Sequence, residues 1–245
     1  MRKINIYSPT YYRLDKTRDS IDSIIDSMDM SENDVTLYIT DNNSPNEMKD
    51  WLDTKASENV IVELLSSNVG KGEAVNRTHK KARPSDYVIS IDSDMVNNHK
   101  INWIDMMVDI MEKDDSLGLV GSDFSEHGGS AHNWKALNIP KKVDKYNLLT
   151  GGHGLAGGCI ILHSNDFTSL GGYTNSDIYI GDDAKLVELV VHRLGKIAGV
   201  CKDIKLLHPP PKSEKENKYQ RWKFQKAHRS IEWNKRENSG FYENS

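Results

Sequence analysis

The chain has 245 residues, room for one large domain or two small ones with independent cores. With 37% hydrophobic and 28% charged residues it is polar but too apolar for a disordered chain. The net charge of −4 conceals an asymmetry: residues 209–236 hold nine Lys and Arg against three Asp and Glu, or +6, while the other residues hold 23 against 33, or −10.

The N-terminus MRKINIYSPTYYR has a basic start but no apolar run of signal-peptide length, and no later segment approaches the roughly 18 apolar residues of a membrane span. Cys159 and Cys201 are far apart and lack metal-type spacing, so they read as reduced, packed thiols. A cytoplasmic protein is expected.

In chain order, Ile4 to Tyr7 predicts a strand and Ser8 to Arg13 a loop. Ile21, Ile24, Ile25 and Met28 recur at helical spacing within a helix over 17–28. Val35 to Thr40 reads as the second strand, Asp41-Asn42-Asn43-Ser44-Pro45 as a turn, and 46–55 as a helix. A strand over 60–65, the loop Asn68-Val69-Gly70-Lys71-Gly72, a helix over 73–82 and the strand 86–91 follow. Such alternation implies right-handed crossovers and a mainly parallel sheet covered on both faces, with ligands beyond the strands' carboxyl ends. A helix over 103–112 and a short strand over 117–120 come next, then a Gly- and His-rich stretch over 127–133. The glycine-rich segment 148–158 leads into a strand over 159–162, and Gly171-Gly172-Tyr173 forms a turn. A helix over 182–194 and a strand over 204–207 complete the pattern.

Asp92 and Asp94 follow the buried-looking strand 86–91, at the end where an open α/β sheet builds its site. Two aspartates in D-x-D are often just a solvated turn. Here the pair calls for a neutralising partner, and oxygen ligands suit Mg²⁺ or Mn²⁺. Asp182-Asp183 at a helix start either complements the helix dipole or supplies a general base. His208, between an apolar strand and three prolines, is either a packed core histidine or a further metal ligand.

Together these pieces resemble the nucleotide-sugar-dependent glycosyltransferases of the GT-A fold, especially the inverting family 2. The matching residues are Pro9-Thr10-Tyr11 with Arg13; Asp41-Asn42-Asn43-Ser44; Asn68-x-Gly70-Lys71-Gly72 with Asn76; and Ile91-Asp92-Ser93-Asp94. Gly157-Gly158, Leu170-Gly171-Gly172-Tyr173 and Asp182-Asp183-x-x-Leu186 follow in order, the resemblance covering about residues 3–208.

The resemblance implies an α/β GT-A domain, with bounds 1–208, and the composition beyond it reads as a basic, aromatic-containing helical tail over 209–245. It implies that Thr10 and Asp41 line a nucleotide pocket with Lys71 or its loop close by, and that Gly157, Gly158 and Asp182 belong to the substrate site. Asp92 and Asp94 match the metal and diphosphate motif, Asp183 the catalytic base, and His208 an additional metal ligand. The implied activity is metal-dependent, inverting transfer from a nucleotide-sugar donor, with UDP favoured as the commonest in the family. There are departures: Val75 stands where an Arg usually precedes the helix Asn, leaving Arg77 as the nearby cation for the diphosphate, and Asp182 replaces the commoner Glu. His163 stands where many relatives carry Arg. Arg221-Trp222, without Gln at 218, only hints at the motif of processive synthases.

In the tail, Phe224, Ala227, His228 and Ile231 follow helical spacing, with Lys223, Lys226, Arg229, Trp222 and Trp233 on other faces. That composition suits a solvated helix or a contact with a polyanion such as a membrane surface or nucleic acid. The acceptor classes are accordingly a saccharide, a lipid-linked glycan, or hydroxymethylated bases in DNA, as for certain viral enzymes. A catalytically silent GT-A-like protein that binds a glycan or nucleic acid is the alternative from another class.

Overall fold

The structure is a computed structural model that describes residues 1–124, 132, 135–151, 155–174, 182–210, 218 and 221, with Asp182 in its backbone alone. The described elements run β1 (Lys3–Thr10), α1 (Leu14–Asp26), β2 (Asp34–Asp41), α2 (Asn46–Asp53), β3 (Val60–Leu64), α3 (Lys71–Lys81) and β4 (Tyr87–Ile91). They continue as α4 (Trp103–Lys113), β5 (Leu117–Asp123), β6 (Ile139–Val143), β7 (Tyr146–Thr150), β8 (Cys159–His163), α5 (Ser164–Ser169), α6 (Asp182–Leu194) and β9 (Ile197–Lys205).

All described strands join one sheet in the order β3-β2-β1-β4-β8-β5-β9-β7-β6. The expected parallel pattern holds across β3-β2-β1-β4. The other half is mixed. β8 inserts antiparallel between β4 and β5, β9 runs parallel to β5, and the β6–β7 hairpin joins antiparallel at the edge.

Side chains alternate across each strand, so neighbouring residues feed different cores. Ile4, Ile6, Ile89 and Ile91 face Ile21 and Ile24 of α1, Met48 of α2 and Met107 of α4. Tyr7, Val88 and Ile160 face Val75 of α3, Phe167 of α5 and Leu186 of α6. Both cysteines are free and buried, as expected. No helix among the described residues is long and apolar enough to cross a membrane.

Two boundaries differ where the site lies. Strand β1 continues through Ser8, Pro9 and Thr10, which were expected to be loop, because these residues pair with Ile39, Thr40 and Asp41 of β2. On its other side the β1–β4 ladder stops at Tyr7, so the N–H that Pro9 lacks breaks no pairing there. Helix α3 begins at Lys71, two residues before the expected start, and so incorporates part of the glycine loop.

Asn76 of α3 fastens the turn after α5: its Nδ2 donates to Tyr173 O at 2.7 Å, and its Oδ1 accepts from Tyr173 N at 2.9 Å. Gly172 has φ +74°, and a Cβ there would fall 2.2 Å from Asn76 Oδ1. Gly172→Ala therefore combines a left-handed strain with a broken clamp. It is expected to lower unfolding free energy by about 2–3 kcal/mol in urea titrations. A loss below about 0.5 kcal/mol would show that the clamp is not rigid.

Candidate active site

The site sits at the carboxyl ends of β1, β2 and β4. Asp41, the last residue of β2, is fully buried; its Oδ1 accepts from Thr10 Oγ1 at 3.2 Å and its Oδ2 from Ser44 N at 2.8 Å. Burial raises its pKa above the ordinary carboxylate value, opposed by the Ser44 and Thr10 bonds and by the charge of Lys49. The neighbouring Asn42 Oδ1 accepts from Val69 N at 3.2 Å, tying this end of β2 to the loop that enters α3.

That loop delivers Lys71. Its Nζ lies 2.7 Å from Asp92 Oδ1, 2.9 Å from Gly157 O and 2.9 Å from Asp183 Oδ1. The approach to Asp183 is an ion pair without hydrogen-bond alignment, so that oxygen is buried yet accepts no hydrogen bond among the described residues. Burial opposes the ammonium's charge, but the attraction of Asp183 and Asp92 outweighs it and holds the Lys71 pKa well above the ordinary value. Burial raises the Asp92 pKa, with repulsion from Asp183 and Asp94 adding to it and Lys71 opposing it.

Gly157 and Gly158 permit this packing. A Cβ on Gly157 would sit 2.1 Å from Asp183 Cγ, and one on Gly158 would press on Phe124 at 3.0 Å and Met95 Sδ at 3.2 Å. Gly158 O also accepts from Asp92 N at 2.8 Å.

Asp94 has different partners. The chain leaves β4 at Ile91, so the strand alternation that would have put both carboxylates on one side does not extend to them. Asp94 Oδ2 accepts from Arg13 Nη1 at 2.5 Å and lies 3.2 Å from His208 Nε2. The Asp94 hydrogen bond and charge raise the His208 pKa, against the effect of burial. Arg13 reaches Asp94 from a turn in which both Tyr12 (φ +57°) and Arg13 (φ +58°) are left-handed, a conformation of order 1 kcal/mol or more per non-glycine residue.

The structure thus gathers Lys71, Asp92, Asp94, Asp183, His208, Gly157 and Gly158, with Thr10 and Asp41 as a neighbouring pair. Arg77 stands apart: its Nε donates to Glu73 Oε1 at 2.7 Å within α3 and its side chain is 45% exposed, so the expected donor contact is not among those assembling the cluster. The side chain of Asp182 and most of the basic tail lie outside the described residues. Arg13 had no role in the sequence reading beyond its motif; nothing in Tyr11-Tyr12-Arg13 announces two successive left-handed residues.

Among the described residues no three His, Cys, Asp or Glu converge as a complete metal cage. Asp94 and His208 nevertheless present an oxygen and an imidazole nitrogen 3.2 Å apart. This set fits a divalent ion that takes its remaining ligands from a diphosphate and water.

A family model described as glycosyl transferase family 2 matches residues 6–171. No curated protein sequence matches the chain. Among solved structures, the chain is similar to the mannosyltransferase PcManGT of Pyrobaculum calidifontis, in complex with GDP-Man and Mn²⁺: TM-score 0.67, 16% identity, 89% of this chain and 59% of that one. It is similar to S. aureus TarS 1-349, with TM-score 0.61 and 14% identity over 83% of this chain and 59% of that one. It is also similar to GalNAc-T7 with UDP, GalNAc and Mn²⁺, with TM-score 0.68 and 15% identity over 84% and 44%. At these identities the likeness is one of fold, the GT-A α/β arrangement. The chain spans less than two thirds of each of these proteins.

The raised His208 pKa has a defined sign in stability. A histidine whose folded pKa exceeds its unfolded value of about 6.5 contributes stability that is complete below that value and lost as pH rises through the folded one. Without metal, the protein is therefore expected to gain stability relative to His208→Gln as pH falls from about 8.5 to about 6. Parallel curves for the two proteins in urea unfolding across that range would contradict the pairing.

Proposed function

The chain belongs to glycosyl transferase family 2, and from that premise we propose that it transfers a sugar from a nucleoside diphosphate, UDP first, to an acceptor hydroxyl with inversion. The observation that carries this reading is the Lys71 ammonium, in contact with both Asp92 and Asp183. One cation thereby joins the residue proposed to face the diphosphate to the residue proposed to act as base.

In this reading Thr10 and Asp41 line the nucleoside's end of the cleft, the buried Asp41 carboxylate ordering it through its bonds from Thr10 Oγ1 and Ser44 N. Asp94 and His208, with Asp92 nearby in the chain, would hold Mn²⁺ or Mg²⁺, which would stabilise the negative charge of the leaving diphosphate. The acceptor oxygen attacks the anomeric carbon from the side opposite the diphosphate and its proton passes to Asp183. The bond from the anomeric carbon to the phosphate oxygen breaks, with its electron pair leaving on the diphosphate. A single displacement inverts the carbon. Gly157 leaves room for the Asp183 carboxylate to lie against the backbone beside it. Asp183 stands in the first turn of α6, where the helix dipole favours its anion.

We assign the transferase unit to residues 1–208 and an accessory role to the basic segment 209–245, whose charge suits a polyanionic acceptor or surface, in a cytoplasmic enzyme. The two neighbours with named nucleotides carry GDP-Man and UDP, so both bases belong in the test.

Thermal unfolding with UDP, GDP, CDP or ADP, each with and without Mn²⁺, is expected to show one nucleotide stabilising the native state only when metal is present. Asp94→Ala is expected to abolish that shift. With the nucleotide identified, Asp183→Asn should keep the shift while reducing release of nucleoside diphosphate from the matching sugar donor by about 10²–10⁴-fold. A variant as active as the parent would remove Asp183 from the base role, and no nucleotide shift at all would favour the catalytically silent alternative.

A further inference from the structure

We infer that Arg13 is a resident cation that holds Asp94 until a divalent ion arrives with the donor, and that it then pairs with the donor's diphosphate. The inference rests on the reading above that Asp94 is a metal ligand. Arg13 Nη1 lies 2.5 Å from Asp94 Oδ2, the same oxygen that faces His208 Nε2 at 3.2 Å. The side chains of Arg13 and Asp94 are only 11% and 6% exposed. An ion that uses this oxygen together with the imidazole competes with the guanidinium for it.

The guanidinium is held there by a built turn. Tyr12 and Arg13 are consecutive left-handed residues, neither of them glycine. Tyr12 N donates to Ser44 Oγ at 2.9 Å, and Arg13 O accepts from Thr17 N at 3.0 Å at the start of α1. Arg13 is thereby fixed between the ends of β1 and β4, where the nucleotide's phosphates must pass if Thr10 and Asp41 receive the nucleoside.

A guanidinium does not lose its proton, so it cannot release Asp94 by neutralising itself. It leaves a partly buried carboxylate at low cost only when an anion replaces that carboxylate on its donors and a cation replaces it on the carboxylate. The diphosphate is the anion, and the divalent ion is the cation. Metal alone would strip Arg13 of this partner, whereas diphosphate alone would compete with Asp94 for it. The two therefore bind with positive, reciprocal coupling that runs through Arg13. Metal that reaches the site without nucleotide is disfavoured, and the nucleotide brings the ion in.

The test is Mn²⁺ binding, read from the electron paramagnetic resonance of the free ion during titration with the full chain, without nucleotide and with UDP or GDP. The parent is expected to bind Mn²⁺ about tenfold more tightly with its nucleotide than without. Arg13→Gln should bind Mn²⁺ alone about tenfold more tightly than the parent and lose most of the coupling, whereas Arg13→Lys should retain it. A merely structural role for Arg13 does not predict a gain in metal affinity. If Arg13→Gln binds Mn²⁺ alone no better than the parent while Asp94→Ala loses binding, the inference fails and the metal assignment stands. If Asp94→Ala binds Mn²⁺ as the parent does, or nothing binds Mn²⁺, both fail.

Discussion

The contact on which the cleft depends is the Lys71 ammonium, which joins three segments distant in sequence: the end of β4 at Asp92, the backbone at Gly157 and the start of α6 at Asp183. Its position is locally unfavourable, because Lys71 is the first residue of α3, where the helix dipole repels a cation. The dipole penalty is a fraction of a kcal/mol to about 1. Loss of either partner from a half-buried ion pair costs more than that, about 1–3 kcal/mol after solvent screening, because the remaining charge is stranded. The carboxylates therefore decide where the ammonium goes. Asp183, in the first turn of α6, has the dipole in its favour, so the pair is asymmetric: one partner sits with its helix field and the other against it.

The sheet's change of direction puts these segments within reach of one lysine. In an all-parallel sheet every strand begins on the side opposite the site. β8 runs antiparallel to β4, so its first residue, Cys159, pairs with Ile91, the last residue of β4. The residues just before β8, Gly157 and Gly158, must then lie beside Asp92, and the Asp92 N to Gly158 O bond closes that junction. β9 is parallel to β5, so it exits on the same side. Leu207 bridges to Val96, and His208 is brought to Asp94 by this exit. The antiparallel β8 thus brings Gly157 and Gly158 to Asp92, and the parallel exit of β9 brings His208 to the Asp94 oxygen that Arg13 also holds.

The sequence was most legible where burial repeats with a period. The strands through β4, and the helices from α1 to α4 and α6, show their apolar faces plainly, and their ends carry the acidic motifs. It was least legible at the β6–β7 hairpin, whose first strand reads Ile-Pro-Lys-Lys-Val. It is an edge strand with mostly solvated side chains, so selection for a buried face is absent and Pro and Lys are tolerated. The start of β9, Ile197-Ala198-Gly199, was also missed; Gly199 lies so close to Thr150 that a Cβ would meet its Cγ2 at 2.8 Å, and this close packing writes no periodic signal. The D-x-D pair was recognisable as needing a counter-charge. Its counter-charges were not, since Lys71 and Arg13 approach through a helix start and a left-handed turn that obey tertiary geometry rather than local propensity.

The charge inventory of the cleft constrains what can enter it. Among the described residues three carboxylates, Asp92, Asp94 and Asp183, face the two cations Lys71 and Arg13, with His208 beside Asp94. A diphosphate brought in by itself would carry two or three negative charges into a region where burial already raises the Asp92 pKa. Proton uptake by the carboxylates would offset that charge but, in the proposed reaction, would also remove its base. In the proposed reaction a divalent cation would offset it without a proton. The same inventory shows what the two basic side chains do when no ion is present: Lys71 pairs with Asp92 and Asp183, and Arg13 with Asp94. In the proposed reaction, metal, diphosphate and Arg13 would thus be parts of one electrostatic exchange, with Lys71 holding Asp92 and Asp183 beside it.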